Sequence, residues 1–469
     1  MAFQGPKFST DDAQGLAREE VSSWDPVLLR ALASAPNKGR ALLFLEDRED
    51  LSVELDTLAP HPVVRHGRTR GLALETGDGR FTFRADPEPG DAERLVRWLE
   101  RPWPERQEAE KHADGAPGSH PGQAAWLSSA DALAAVQALI DATEGLRPGL
   151  RAVARWIGFE QRVRLATSVG QVLGDRRRGR RIRLLVDVAR GGRAGRSMAE
   201  AVLRPEDAGL EQACRRLAAQ AVARAEQRLG ARSLPAGERR VVFAPGVGGI
   251  LLHEIVGHAL EADAVLGGAS WLAGRAGAPC RLPPALVVLD DPRRGRAPWR
   301  FDDEGQPARA VPLLHGGRVA GWLHDGSTAA EAGRAPTGHG RRASFRERAR
   351  PRMGCTFMAA GRLDARDALQ GVEEGIYVRR MEAASADTRT GHALFRVTDA
   401  DQIRHGRLGA PLVPHLLAIE GSAALPSVEC IASDLEFDTC VGSCLNHGQP
   451  MSVSVGAPTF RIGSASVFF

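Results

Sequence analysis

The sequence predicts an α+β fold, in which antiparallel strands and helices form the N-terminal region and a β-rich domain follows. First, apolar and polar residues alternate in short runs from Ala41 to Phe83, where Asp78-Gly79 makes a strong hairpin turn. Second, leucine and alanine recur every three to four positions over Leu210–Leu229, which is typical of an amphipathic helix. Third, the chain beyond Pro235 contains many short apolar runs separated by glycine and proline, which indicate strands.

The remaining N-terminal elements follow from spacing and composition. Apolar spacing predicts further helices over Trp24–Ala33, Asp91–Leu99 and Ala124–Ala142. The segment Pro102–Gly122 is rich in proline, glycine and charge, so we expect a loop or linker there.

Two β-rich runs between these helices predict a second hairpin. They cover Arg162–Leu173 and Arg180–Ala189, and we interpret the arginine-rich Gly174–Arg180 as the turn that joins them.

The 469 residues exceed one ordinary core, so we expect two or three domains. We place an N-terminal α/β domain that ends in the linker at residues 1–122, and a hairpin-and-helix region at 123–236. The β-rich C-terminal domain is residues 237–469, because Pro235-Ala236-Gly237 interrupts the chain.

Composition excludes several classes of protein. The 62 basic and 58 acidic residues give a net charge of only +4, and the arginines are interleaved with acids, so we expect no nucleic-acid partner. No stretch approaches the roughly 18–20 apolar residues that span a bilayer, and the N-terminus has no apolar signal segment. We therefore expect no membrane partner and a cytoplasmic location, where the six scattered cysteines are buried thiols or metal ligands.

The segment from His253 to His258 contains a candidate metal-binding motif. It reads H-E-x-x-x-H, with one residue more between the histidines than the familiar H-E-x-x-H motif. In a regular helix the i,i+5 pair is separated by about 140°, against about 40° for an i,i+4 pair, so it cannot close on one ion. An i→i+5 π-bulge would repair the spacing, and we expect it near Gly257.

These residue types suit a hydrolytic zinc site. His253 and His258 supply neutral nitrogen ligands, and Glu254 is placed to act as general base. The residues alone leave the third ligand open among Glu261, Asp263 and Cys444. The alternative is a helix that carries two buried histidines by chance. Such a hexamer is expected only about 0.02 times per chain.

Further motifs accompany the hexamer in a recognisable order. They are GVGGILLHEIVGHALEAD, FDDEG at Phe301–Gly305, GWLHD at Gly321–Asp325, PTGHGRRASF at Pro336–Phe345, PRMGCTFM at Pro351–Met358 and the C-terminal CVGSCLNHGQPMSVSVGAPTFRI. Together they resemble the TldD/PmbA metallopeptidase family, and specifically its TldD-type, metal-bearing subunit. The likeness is strong from about Arg239 to Phe469 and weaker over residues 41–83 and 153–231.

This resemblance implies a zinc ion, or another divalent metal, held by His253, His258 and Cys444, with Glu254 as the base. A His₂Cys set leaves a fourth position for water. Cys440 and His447 stay open as alternative ligands, or as neighbours that switch the site off.

The resemblance also implies partners. We expect a homodimer, or a heterodimer with a related subunit that lacks the motif, enclosing a chamber that admits unfolded or short peptides. The substrate would bind as an extended strand on a sheet edge, as in protein turnover or the maturation of peptide natural products.

Four further residues are candidate substrate contacts. Arg341 and Arg342 could bind a carboxylate or carbonyl, and His324 and His339 could stabilise an oxyanion. The alternatives are solvated arginines on a surface turn and hydrogen-bonded structural histidines.

Two other functions remain open. The protein could be a non-catalytic peptide-binding or assembly subunit with a residual metal site, or a metal hydrolase of a non-peptide amide. The intact Glu254 argues against the first, because a structural zinc needs no general base.

Overall fold

The computed structural model describes residues 24–33, 41–76, 80–88, 90–98, 127–203, 210–274, 282–438, 443–446 and 448–469. Strands predominate and helices are fewer, so the predicted α+β class is confirmed. Among the described residues, no helix is long and apolar enough to cross a membrane.

The N-terminal half is built on one six-stranded antiparallel sheet in the order β3-β2-β1-β4-β5-β6. Its strands are β1 Ala41–Asp56, β2 Ala59–Thr76, β3 Phe81–Ala85, β4 Arg151–Thr167, β5 Val172–Arg190 and β6 Arg193–Val202. Strand β1 lies between β2 and β4, so strands on both sides of the predicted boundary at residue 122 belong to one sheet.

Four helices cover this sheet, and they lie where apolar spacing predicts them. They are α1 Asp25–Ala33, α2 Asp91–Trp98, α3 Ser129–Leu146 and α4 Leu210–Gln227. Helix α3 begins later than expected because the side chain of Ser128 caps it, accepting from the Asp131 amide at 3.2 Å, and the helix also ends later, at Leu146. Helices α3 and α4 bury apolar faces against β1, β4 and β5 in a shared core.

The predicted turn at Gly174–Arg180 is wrong. The hairpin turns at Ser168–Gln171, where Gly170 has a φ of +81°, and the arginine-rich run lies within β5. Glu160 on the neighbouring strand accepts from Arg176 and Arg178 at 3.0 and 2.7 Å, so pairing across strands accommodates these charges within the sheet.

Two other predictions fall outside the described residues. They concern the hairpin turn at Asp78-Gly79 and the linker at Pro102–Gly122. The strands on either side of the first, β2 and β3, do pair antiparallel.

The C-terminal half contains a seven-stranded sheet in the order β14-β7-β23-β17-β15-β16, with β18 against β23. These strands are β7 Gly237–Phe243, β14 Glu374–Asp387, β15 His392–Arg404, β16 Arg407–Pro411, β17 His415–Glu420, β18 Val428–Ile431 and β23 Phe460–Phe468. Because β14 also pairs with β15, five of the strands close into a ring.

A second six-stranded sheet, in the order β10-β9-β8-β13-β22-β19, completes this half. Its strands are β8 Val288–Asp290, β9 Val311–His315, β10 Arg318–Val319, β13 Cys355–Met358, β19 Glu436–Asp438 and β22 Ser454–Ala457. Two small pairs are β11 Gly340–Arg341 with β12 Arg350–Pro351, and β20 Ser443–Asn446 with β21 Gln449–Ser452.

Short helices connect these strands. They are α5 Gly249–Leu252, α6 Ala262–Leu266, α7 Gly326–Glu331 and α8 Gly421–Ala424. The helical segment at residues 249–266 lies in the largest apolar core and contributes side chains from α5 to α6. That core fixes the backbone on which the histidine motif lies.

Candidate metal centre

The histidine motif lies on a π-helical turn. Strand β7 ends in a turn at Gly246, helix α5 follows, and His253–Gly257 then forms the π turn. The amide of His258 donates to the carbonyl of His253, which is the i→i+5 bond that the spacing predicts. The two imidazole centroids are 4.8 Å apart, so the extra residue is absorbed and both rings share one side.

Close packing supports this turn from outside. A Cβ atom at Gly257 would overlap the sulfur of Met353, so a larger residue there would require the Met353 side chain or the turn to shift. Trp271 donates its indole N–H to the carbonyl of Ile255 at 2.8 Å, which satisfies an acceptor within the π turn.

Cys444 joins the two histidines from far along the chain. It lies on β20, and ligand atoms of His253, His258 and Cys444 all lie within 4.8 Å of one another. The Sγ atom is 3.2 Å from Nε2 of His258. The other thiol and histidine weighed as ligands, Cys440 and His447, are outside the described residues.

The two acidic candidates for third ligand take other positions. Asp263 accepts from the amide of Ala264 at 3.0 Å at the start of α6. Glu261 lies behind His258 instead, where its Oε2 is 3.0 Å from Nδ1 of that ring. Neither belongs to the group that the two histidines form with Cys444.

The histidine–cysteine set fits a zinc ion. Nδ1 of His253 is buried without a hydrogen-bond partner, and burial together with the charge of His258 holds the pKa of His253 well below its ordinary value. A neutral imidazole with an unshared electron pair is what a cation requires. Two imidazoles and one thiolate match catalytic zinc sites, which keep one position open.

Three polar residues fix the orientation of His258. Glu261 Oε2 accepts from Nδ1 of the ring and, at 2.8 Å, from the amide of Asn446, while Arg352 lies 3.8 Å from Oε1. Burial opposes a charge on His258, but Glu261 and Cys444 hold its pKa well above the ordinary value. Because Nδ1 is bound to Glu261, Nε2 faces Cys444.

Glu254 adjoins the site in a cavity of about 200 Å³. The carboxyl group is partly buried, and burial raises its pKa. The same cavity is lined by His253 and Cys444, and by Arg183 and Arg380 from two different sheets. Glu254 therefore lies at the meeting point of the candidate ligands and the accessible space.

The four predicted substrate contacts do not line this cavity. His339 is buried between Asp290, at 3.1 Å, and Thr337, and His324 is buried against Thr328. Both histidines therefore make the structural hydrogen bonds that we weighed as the alternative.

Both arginines of this set are buried as well. Arg341 pairs with Asp303 at 3.1 Å and stacks on Trp299 at 3.9 Å from the ring centroid. Arg342 pairs with Glu75 of the N-terminal sheet. Arg342 therefore links the two halves, and neither arginine is a solvated turn residue.

Sequence reasoning missed Arg183 and Arg380. Each is one arginine among many in a strand, and neither stands in a motif. The contact between the two halves of the protein brings Arg183 to the metal site, and the packing of β14 within the C-terminal half brings Arg380 there.

Known proteins resemble the chain in sequence and fold. Residues 236–468 match the family described as the PmbA/TldA metallopeptidase C-terminal domain. The metalloprotease TldD homolog of Haemophilus influenzae is 33% identical over 253 residues, covering 53% of this chain and 52% of the relative. The zinc metalloprotease TldD homolog of Saccharolobus solfataricus is 29% identical over 237 residues, covering 50% and 52%. The chain thus spans about half the length of the curated relatives it matches.

The likeness in fold covers more of the chain. The structure of TldE from Thermococcus kodakarensis superimposes with a TM-score of 0.74, covering 95% of this chain and all of the other, at 14% identity. The N-terminal sheet and its helices therefore belong to the shared fold.

Proposed function

The chain belongs to the PmbA/TldD metallopeptidase family through residues 236–468, and on that premise we propose that it is a zinc-dependent peptidase of short or unfolded peptides. One observation carries the proposal. The ligand atoms of His253, His258 and Cys444 lie within 4.8 Å of one another, beside Glu254 and an open cavity.

The side chains divide the work of peptide hydrolysis between them. When bound, zinc supplies the Lewis acidity that makes water nucleophilic near neutral pH. Glu254 takes a proton from the attacking water and returns it to the nitrogen of the leaving amine as the C–N bond breaks. Its raised pKa suits both directions of transfer. His253 and His258 hold the ion as neutral rings, and Cys444 holds it as a thiolate.

We propose that the substrate lies along β14 as an extended strand. Strand β7 pairs with β14 over Gly375–Val378, whereas the following Arg380–Ala383 lines the cavity beside His253. A peptide added to that edge would bond through its main chain, which reads shape more than sequence. Low sequence selectivity is the expected result.

A paired assembly is also part of the proposal. The family resemblance supports either a second copy or a related subunit that lacks the motif. Light scattering on the purified chain would give twice the monomer mass for a homodimer. If the chain has the monomer mass, and this mass stays unchanged on mixing with a motif-lacking relative, both the homodimer and the heterodimer are contradicted.

The direct test replaces Glu254 by Gln in zinc-loaded protein. We expect zinc content to stay unchanged while peptide cleavage falls by roughly 10²–10⁴-fold, because the general base is lost. Glu331→Gln changes an exposed carboxylate on α7 and serves as the control.

Two results would point elsewhere. Unchanged cleavage in Glu254→Gln would overturn the mechanism. Absence of peptide cleavage in the wild type, with zinc bound, would favour the non-catalytic subunit or, if a non-peptide amide is cleaved, the other hydrolase.

A further inference from the structure

The cavity beside the candidate metal centre contains two arginines from separate sheets. Arg183 comes from β5 of the N-terminal sheet and Arg380 from β14 of the C-terminal half. The motif that identifies the metal centre includes neither residue, and the hydrolysis described above gives neither a role.

Arg183 has N–H donors that make no hydrogen bond to the described residues. Its Nε donates to Glu200 at 2.6 Å, and Arg181 donates to the other oxygen of the same carboxylate at 3.1 Å. The side chain of Glu200 is fully buried, so two arginines share one carboxylate and the group keeps a net positive charge. Neither Nη group of Arg183 bonds to any described residue, although its side chain is only 27% exposed.

Arg380 brings a second guanidinium to the cavity. It donates through Nη2 to the carbonyl of Met198 at 3.0 Å, which fixes the guanidinium against the N-terminal sheet. The acids of the cavity are Glu254, already assigned as the base, and Glu382, which is exposed on β14. Solvent screens an exposed charge more than a half-buried one, so Glu382 offsets little of the positive charge of Arg183.

We propose that Arg183, assisted by Arg380, binds a carboxylate of the peptide substrate. The inference rests on the proposed function and names the substrate class as peptides with a carboxylate close to the scissile bond. A guanidinium offers a planar pair of N–H donors that matches a carboxylate. The cavity of about 200 Å³ is smaller than the roughly 300–1,000 Å³ of drug-sized pockets. It therefore holds one end of a peptide, and the C-terminal carboxylate is the source we favour over an Asp or Glu side chain.

Binding to the zinc-loaded Glu254→Gln protein tests this without any cleavage. Three fluorescent peptides are compared: a free acid, its C-terminal amide, and the same amide with its last residue replaced by Glu. We expect the free acid to bind roughly 10–100-fold more tightly than the plain amide, as a charge-assisted hydrogen bond gives. Tighter binding of the Glu amide alone would assign the carboxylate to a side chain, and equal binding of all three would overturn the proposal.

Arg181 offers a matched control, because it shares Glu200 with Arg183 but does not line the cavity. In the same background, Arg183→Gln should abolish the preference for the free acid and Arg181→Gln should keep it. Loss in both, or retention in both, would contradict a contact with Arg183 and leave only the ion pair with Glu200 or binding of the carboxylate to the metal.

A conservative variant guards against misfolding. Arg183→Lys keeps the charge and the pairing with Glu200 but loses the planar fork, so we expect a reduced, not absent, preference. Because every comparison measures binding, a wild type that cleaves no peptide would refute the proposed function while leaving this inference to the binding data.

Discussion

Glu261 lies outside the group of candidate metal ligands but contacts one of its members, His258. The sequence leaves it as one of three candidates for the third ligand, and the structure turns it toward Nδ1 of His258. Its second oxygen lies 3.8 Å from Arg352, which is buried, so the carboxylate is flanked by a cation. We infer that Glu261 positions His258, in the way that carboxylates orient metal-binding histidines.

Removal of Glu261 should therefore weaken metal binding. For Glu261→Ala we expect zinc affinity to fall by about 10–100-fold, measured by competition with a chelator. Glu261→Gln keeps a hydrogen-bond acceptor for Nδ1 and should recover part of the affinity. Glu373→Ala removes another glutamate–histidine contact, with His405 on the surface, and should leave affinity unchanged.

An unaltered zinc affinity in Glu261→Ala would contradict the positioning role. A purely structural role would instead lower the thermal stability of the metal-free protein without changing the affinity. Both quantities can be measured on the same samples.

At the scale of the element, the π turn is the feature that makes the motif work. Its i→i+5 bond compensates for the additional residue between the histidines, and Gly257 lets Met353 pack against the turn. The core around it is apolar, so a change in backbone course there is resisted by packing.

Gly257→Ala should consequently disturb both stability and the site. Overpacking against Met353 is expected to cost about 1–3 kcal/mol of unfolding free energy in denaturant titration. The metal-free Gly257→Ala protein should also show weaker zinc binding, because the turn that aligns the rings must shift.

Gly145→Ala provides the control for this substitution. Gly145 is also helical, near the end of α3, and an added Cβ meets nothing within 4 Å. Alanine there should be neutral or stabilise the protein by about 0.5–1 kcal/mol. Equal effects at the two glycines would refute the packing argument.

Sequence patterns predicted elements where one local rule decides the outcome. Apolar spacing located α1 and α4, and counting residues between His253 and His258 predicted the π turn near Gly257. Arginine-rich Gly174–Arg180 was interpreted as a turn because the pairing with Glu160 is not visible in the sequence. Local composition does not reveal which charges a neighbouring strand neutralises.

The candidate site, like the fold, contains some residues that a local pattern predicts and others that it does not. Two histidines and a glutamate follow from one hexamer, whereas Cys444 lies 186 residues beyond His258 and was chosen among three candidates only through family resemblance. Arg183 could not be predicted, because only the packing of two sheets brings it to the cavity. Long-range contacts of this kind depend on topology and not on spacing.

At the scale of the whole molecule, buried ion pairs join the two halves around the site. Arg177 of β5 donates to Asp303 at 2.6 Å and to the carbonyl of Phe301 at 3.0 Å. Both charged side chains are almost fully buried. Burial opposes ionisation of Asp303, but Arg177 and Arg341 lower its pKa to about 2. The cavity lies between these halves, so its shape depends on their contact.

Loss of one partner should be costly. Arg177→Met would leave Asp303 buried with less compensation, and we expect about 3–5 kcal/mol less unfolding free energy near neutral pH. Arg176→Gln removes a neighbouring arginine that is 39% exposed, and it should cost less than about 1 kcal/mol. Similar costs for the two variants in denaturant titration would contradict the role of the buried pair.

The metal centre that joins β20 to the π turn is the central claim, and cobalt substitution tests it most directly. Cobalt-loaded wild type should show a thiolate-to-metal charge-transfer absorption. Cys444→Ser should lose it, and Cys440→Ser, which changes the cysteine four positions earlier in the sequence, should keep it. Charge-transfer absorption that persists in Cys444→Ser, or disappears in Cys440→Ser, would contradict a centre formed by His253, His258 and Cys444.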